Sequence, residues 1–126
     1  MKSNNKSKKI LVVDDEKPMA QALELKLNKV GYQVKAVFNG EEAIDILKKE
    51  NFDLIIADLI MPKVDGFGIL EYLKGKKDKT PVIVSSNLGQ EEDLNRAKAL
   101  GVKDYFIKSD TPIIKVIEHI NKLLTK

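Results

Sequence analysis

The stretch Asp53-Leu54-Ile55-Ile56-Ala57-Asp58-Leu59-Ile60-Met61-Pro62 decides the fold. Leu54 to Ala57 are apolar at every position rather than at alternate ones, the pattern of a strand covered on both faces. Pro62 lacks an N–H for a sheet ladder and marks the end of regular structure or the start of a turn. Asp58 therefore stands where a buried strand stops and a loop begins. In open α/β sheets ligands bind beyond the carboxyl ends of the strands, which is where this side chain is placed.

Working outward, the same punctuation recurs. Lys9-Ile10-Leu11-Val12-Val13 reads as a first strand running into Asp14-Asp15-Glu16. Pro18 suits the first turn of a helix, Met19, Ala22, Leu23, Leu27 and Val30 follow helical spacing, and Gly31 stops it. Gln33 to Phe38 is a less apolar strand, suited to an edge. Asn39-Gly40-Glu41-Glu42 resembles a capping box before a helix with Ala43, Ile44 and Leu47 inward.

Downstream of Asp58, Asp65-Gly66 is a turn or cap before a helix with Phe67, Leu70 and Leu73 inward, and Gly75 to Thr80 is a polar loop. Pro81 to Val84 is a fourth strand entering Ser85-Ser86-Asn87. Glu91, Glu92 and Asp93 suit the positive end of a helix that carries Leu94, Ala97 and Leu100 and ends at Gly101. Asp104 to Ile107 is a fifth strand ending at Lys108. Thr111-Pro112 opens a last helix with Ile113, Val116, Ile117, Ile120 and Leu124 inward. Strict alternation of strand and helix predicts an α/β domain: a doubly wound, five-stranded parallel sheet with five helices on both faces.

The 126 residues suit one domain with a core of its own. The absence of cysteine excludes disulfides and thiolate metal sites and fits a reducing cytoplasm. No apolar run approaches the roughly 20 residues of a membrane helix, and the N-terminus lacks the apolar centre of a signal peptide. The formal net charge is +3, and Met1 to Lys9 hold four lysines and no acid, so removing those four leaves −1 for the rest. The basic character belongs to that N-terminal stretch, within which a tail over residues 1–8 is expected to be disordered and solubilising rather than a nucleic-acid arm, ahead of a domain over residues 9–126.

The strand ends decide the chemistry. The first offers Asp14 and Asp15, the third Asp58, the fourth Ser85 and Ser86, the fifth Lys108. If the strand order reverses between the first and third strands, three carboxylates converge. Two like charges about 4 Å apart cost on the order of 4 kcal/mol at an effective dielectric near 20. One lysine against three acids leaves an excess of two negative charges, which a divalent cation closes. An all-oxygen donor set fits Mg²⁺, which keeps several waters and accepts phosphoryl oxygens.

The motifs Leu-Val-Val-Asp14-Asp15-Glu, Asp58-Leu-Ile-Met-Pro62-Lys-Val-Asp65-Gly66, Pro81-Val-Ile-Val-Ser85-Ser86 and Tyr105-Phe-Ile-Lys108 together resemble the receiver domain of two-component response regulators, chemotaxis regulators among them. The resemblance runs from Lys9 to about Leu124 and implies the flavodoxin-like strand order 2-1-3-4-5. It implies that Asp58 accepts a phosphoryl group from a phosphohistidine on a partner histidine kinase or phosphotransfer protein. It implies Mg²⁺ held by Asp15, Asp58 and the carbonyl of Ile60, with Asp14 acting through a coordinated water. Lys108 would pair with a phosphoryl oxygen, Ser86 would donate to the new group, and Tyr105 would follow it inward, moving the face built from the fourth helix, fifth strand and fifth helix.

Departures from the family pattern are Ser86 in place of the more frequent Thr, Asn87 in place of a small residue, and Ser109-Asp110 after Lys108. The last bears on a cis peptide common there in the family. The phosphohistidine must come from another protein, because His119, the one histidine in the chain, falls in the last helix and reads as a surface residue. The expected assembly is a monomer or a weak dimer formed on phosphorylation, with no direct contact to nucleic acid or membrane and a downstream protein target.

Three other readings compete. A nucleotide or flavin site would need glycines, whereas the first strand ends in three acids. An aspartate-nucleophile phosphatase would pair its nucleophile with an acid two residues on, where Asp58 has Ile60. A degenerate receiver could serve as a binding module without taking up phosphate.

Overall fold

A computed structural model describes residues 8–59, 61, 65–87 and 91–124. The basic tail expected over residues 1–8 lies, apart from Lys8, outside them, and so do Ile60 and Pro62. The elements are β1 (Lys9–Val13), α1 (Lys17–Val30), β2 (Gln33–Val37), α2 (Gly40–Leu47), β3 (Leu54–Ala57), α3 (Gly66–Gly75), β4 (Val82–Ser86), α4 (Glu91–Ala99), β5 (Asp104–Ile107) and α5 (Ile113–Leu124). All strands are parallel, in the order β2-β1-β3-β4-β5.

Continuous apolar strands serve two cores at once because successive side chains point to opposite faces. Leu11, Val13, Ile55, Ala57, Val82 and Val84 pack under α2, α3 and α4. Ile10, Val12, Leu54, Ile56 and Ile83 pack under α1 and α5. The three inner strands are buried throughout except at Lys9, whereas β2 is exposed and half-buried by turns and β5 is half-buried along its length, as edge strands are.

Local signals fix several helix ends. Asn39 caps α2, its side chain accepting from the Glu42 N–H at 2.8 Å. The reciprocal arm of this box reaches one residue further back than usual: Glu42 Oε1 accepts from the Phe38 N–H at 2.9 Å. Asp65 caps α3 by accepting from the Gly68 N–H at 3.0 Å. Gly31 closes α1 at φ 119°, a left-handed conformation suited to glycine.

The helix α3 ends differently from its sequence signal. Gly75 lies inside the last turn, and the left-handed position is Lys77, at φ 59°. The Lys77 N–H donates to Lys74 O and the Asp78 N–H to Leu73 O, the paired bonds of a Schellman ending. On α1 the inward stripe is Ala20, Leu23 and Leu27. Val30, expected inward, is the last helical residue and turns to solvent beside Gly31. After β5, Lys108–Asp110 make one 3₁₀ turn, and every peptide bond among the described residues is trans, so the Lys108–Ser109 bond lacks the cis form frequent in the family.

Candidate functional site

The sheet register sets the site. Val13 is paired with Ala57, so Asp14 and Asp58, the next residue on each strand, emerge side by side. Their backbones are fixed: the Asp58 N–H donates to Val13 O at 3.0 Å and the Asp14 N–H to Val37 O at 3.1 Å. Ser86 is paired with Ile107, which delivers Lys108 at the same edge.

Gly66 fixes the chain just beyond Asp58. Its N–H donates to Leu59 O at 3.0 Å. A Cβ there would lie 2.4 Å from the Asp58 carbonyl oxygen and 2.8 Å from Leu59 Cα, both backbone atoms, so only glycine fits this approach.

Lys108 is the centre of the cluster. Its Nζ lies 2.8 Å from Asp14 Oδ2, 2.8 Å from Asp58 Oδ2 and 2.7 Å from Glu16 Oε1. The ammonium group has three hydrogens and meets three carboxylates, with its side chain only 4% exposed. Burial alone would pull its pKa down; hydrogen bonds to Asp14, Asp58 and Glu16 more than offset this, and the net direction is upward. Asp14 accepts a second hydrogen bond, from the Glu16 N–H to Oδ1 at 2.9 Å. Its pKa is nonetheless raised, because burial and the Asp58 charge outweigh the help from Lys108 and that N–H.

Asp14, Glu16 and Asp58 each offer an oxygen within 4.8 Å of the others. Glu16 was read from the sequence only as part of an acidic run, and Asp15 was assigned to the metal. In the structure Glu16 joins the cluster, while Asp15 is exposed and lines the adjoining cleft. The chain bends at Asp15, where the Glu16 N–H donates to Asp14 Oδ1, and this turn brings Glu16 to the side of Asp14. The cleft, about 240 Å³, is lined by Asp15, Glu16, Asp58, Ser86 and Asn87. Ser86 is buried, and Asn87 stands at the mouth.

A divalent cation suits this donor set. The oxygens are hard, they converge, and one lysine leaves two of the three negative charges without compensation. The expected ligand Ile60 lies outside the described residues. Tyr105 sits opposite Val84 on β5, half-buried, its hydroxyl pKa raised by burial and by the charges of Asp93 and Asp58. Ser109 and Asp110 are exposed. His119 is removed from the site: it pairs with Asp104 at the opposite end of β5 and meets the Phe106 ring edge-on.

A five-stranded 2-1-3-4-5 sheet with an acid cluster and a lysine at its carboxyl edge places this chain among the open α/β domains whose sites lie at the carboxyl ends of their strands. Residues 10–119 match the family described as response regulator receiver domain, and the chain belongs to that family. It is 37% identical over 127 residues to the "Probable transcriptional regulator ycf27" of Porphyra purpurea, covering 96% of this chain and 52% of that protein. The chain thus spans about half the length of the curated relatives it matches. A Francisella response regulator receiver domain superposes with a TM-score of 0.86 at 33% identity, covering 93% of this chain and 96% of that one. The TrrA response regulator of Thermotoga maritima, solved with Mg²⁺ and BeF, gives 0.81 at 31%, covering 93% and 99%. No helix among the described residues is long and apolar enough to cross a membrane.

Proposed function

We propose that Asp58 is the phosphoacceptor of a two-component relay. One observation carries the reading: a buried ammonium group is held 2.8 Å from the Asp58 carboxylate, and that carboxylate lines an open cleft. An Asp58 oxygen attacks the phosphorus of a phosphohistidine on a partner kinase or phosphotransfer protein. The O–P bond forms as the P–N bond breaks, and the imidazole leaves with the electron pair. Lys108 faces the charge that gathers on the phosphoryl oxygens. Ser86, buried at the cleft, donates its hydroxyl to the new group, and Tyr105 moves inward on β5 behind it.

Mg²⁺, when bound, supplies positive charge to the acids and to the incoming phosphoryl group. Asp15 and Asp58 would hold it with the Ile60 carbonyl and Asp14 would act through a coordinated water, as the resemblance implies, with Glu16 beside Asp14 and Asp58. The α4–β5–α5 face is the output surface, with Ile114 on α5 64% exposed. Phosphorylation drives weak dimerisation there, which sedimentation with and without a beryllofluoride adduct reads directly. The relatives are described as transcriptional regulators, and control of transcription from a reducing cytoplasm belongs to the same proposal.

The test is mass spectrometry after incubation with Mg²⁺ and acetyl phosphate. The wild type gains one phosphoryl group and Asp58→Asn gains none. A folded wild-type protein that never gains it is a binding module, and rapid turnover of small phosphate esters would mark a phosphatase; either result ends this reading.

A further inference from the structure

A cleft of about 890 Å³ lies at the other end of the sheet from Asp58. Its floor is apolar: Leu73, Val82, Leu100 and Leu123 line it, and the first two are buried. Its rim is cationic. Lys74, Lys77 and Lys79 come from the end of α3 and the loop after it, and Lys103 comes from the loop before β5. All four are exposed, and none has an ion-pair partner among the described residues. The one acid in the lining, Asp78, is engaged in its own turn, accepting from the Thr80 N–H at 2.9 Å and the Thr80 hydroxyl at 2.6 Å.

Lys77 adds a separate observation. It holds the left-handed ending of α3, where glycine would sit without strain. A charged side chain placed there at a conformational cost, on the rim of an apolar cleft, points to a use for the charge.

We propose that this cleft docks an acidic, amphipathic segment of a partner protein. The apolar groups that line it are recessed, so the occupant must bring apolar anchors of its own. Lysines from two separate loops call for acidic groups spread along the occupant rather than for one anionic head. Among the described residues the lining has no aromatic side chain on which a nucleotide base could stack. A membrane surface would need apolar side chains that protrude, and the floor does not. The fitting mode is a helix in a groove, with leucine-type anchors at i, i+3 or i+4, and i+7 and acids beside them.

The experiment uses the 126-residue protein and a fluorescein-labelled amphipathic peptide with leucines at those positions and glutamates elsewhere. Anisotropy should show binding that weakens as salt is raised. Lys74→Glu with Lys103→Glu should weaken it about tenfold or more. Lys77→Gly should weaken it while leaving the fold intact or firmer, which separates lost charge from lost structure. Amide shifts on titration should fall on Leu73, Val82, Leu100 and Gly101. The proposal is overturned if a lysine-for-glutamate peptide binds equally well or if the lysine variants bind as the wild type does. It is equally overturned if the shifts map elsewhere, or if dodecanoate or phosphatidylglycerol vesicles bind and the peptide does not.

Discussion

Gly66 and Asp14 show how closely single side chains are constrained near Asp58. A methyl group on Gly66 meets backbone at 2.4 Å, with no flexible side chain to move aside. Gly66→Ala should destabilise the protein by about 1–3 kcal/mol in urea unfolding and lower Mg²⁺ affinity by displacing the loop after β3. Asp14 behaves in the opposite sense. Its raised pKa means that the folded state holds its proton more tightly than the unfolded chain does. The cost of ionising it is absent below its ordinary value near 3.9 and sets in as pH rises from there through the raised folded value. Asp14→Asn keeps an oxygen to accept the Glu16 N–H and removes the charge. It should stabilise the metal-free protein at neutral pH by about 0.5–2 kcal/mol while weakening the metal site. A fall in its urea midpoint would contradict this account.

At the scale of elements, the capping chemistry was legible because it is local. Asn39, Asp65 and Gly31 act where their neighbours in sequence say they should. Asn39→Ala should cost about 1 kcal/mol, read as a lower thermal midpoint. What sequence could not show was the outcome of competing local choices. Gly75 was read as the start of the loop after α3, but it closes the last helical turn and Lys77, two residues on, takes the left-handed position. Relieving that strain with Lys77→Gly should stabilise the fold by about 0.5–1 kcal/mol, net of the entropy glycine adds to the unfolded chain. The inward stripe of α1 was ambiguous for a related reason: Ala20 and Ala22 are equally apolar, and only the approach angle of the helix to the sheet chooses between them.

For the whole molecule, the parallel sheet followed from apolar runs separated by amphipathic helices, and the carboxyl edge followed from the sheet. Asp14, Asp58 and Lys108 were found because each is the first polar residue after an apolar strand. Glu16 was passed over because a fully exposed reading of an acidic run is the ordinary one, and only three-dimensional closure brings it to Lys108, 92 residues away. The electrostatics of the closed molecule are visible at high pH. The folded pKa of Lys108 is raised, so the stability its contacts supply is whole below about pH 10.4 and is lost as pH climbs through the folded value. Lys108→Met should abolish that alkaline loss. At neutral pH it should lower stability by about 3–5 kcal/mol, because three carboxylates are left facing one another, and Mg²⁺ should restore part of the difference.

A chain leaves the ribosome N-terminus first. Asp58 emerges 50 residues ahead of Lys108, and Asp14 and Glu16 earlier still. A nascent protein halted after β4 therefore owns every acid of the cluster and no counter-ion for them. Until Lys108 is translated those acids have only one another and solvent to face, and a truncated product is electrostatically unfinished as well as short.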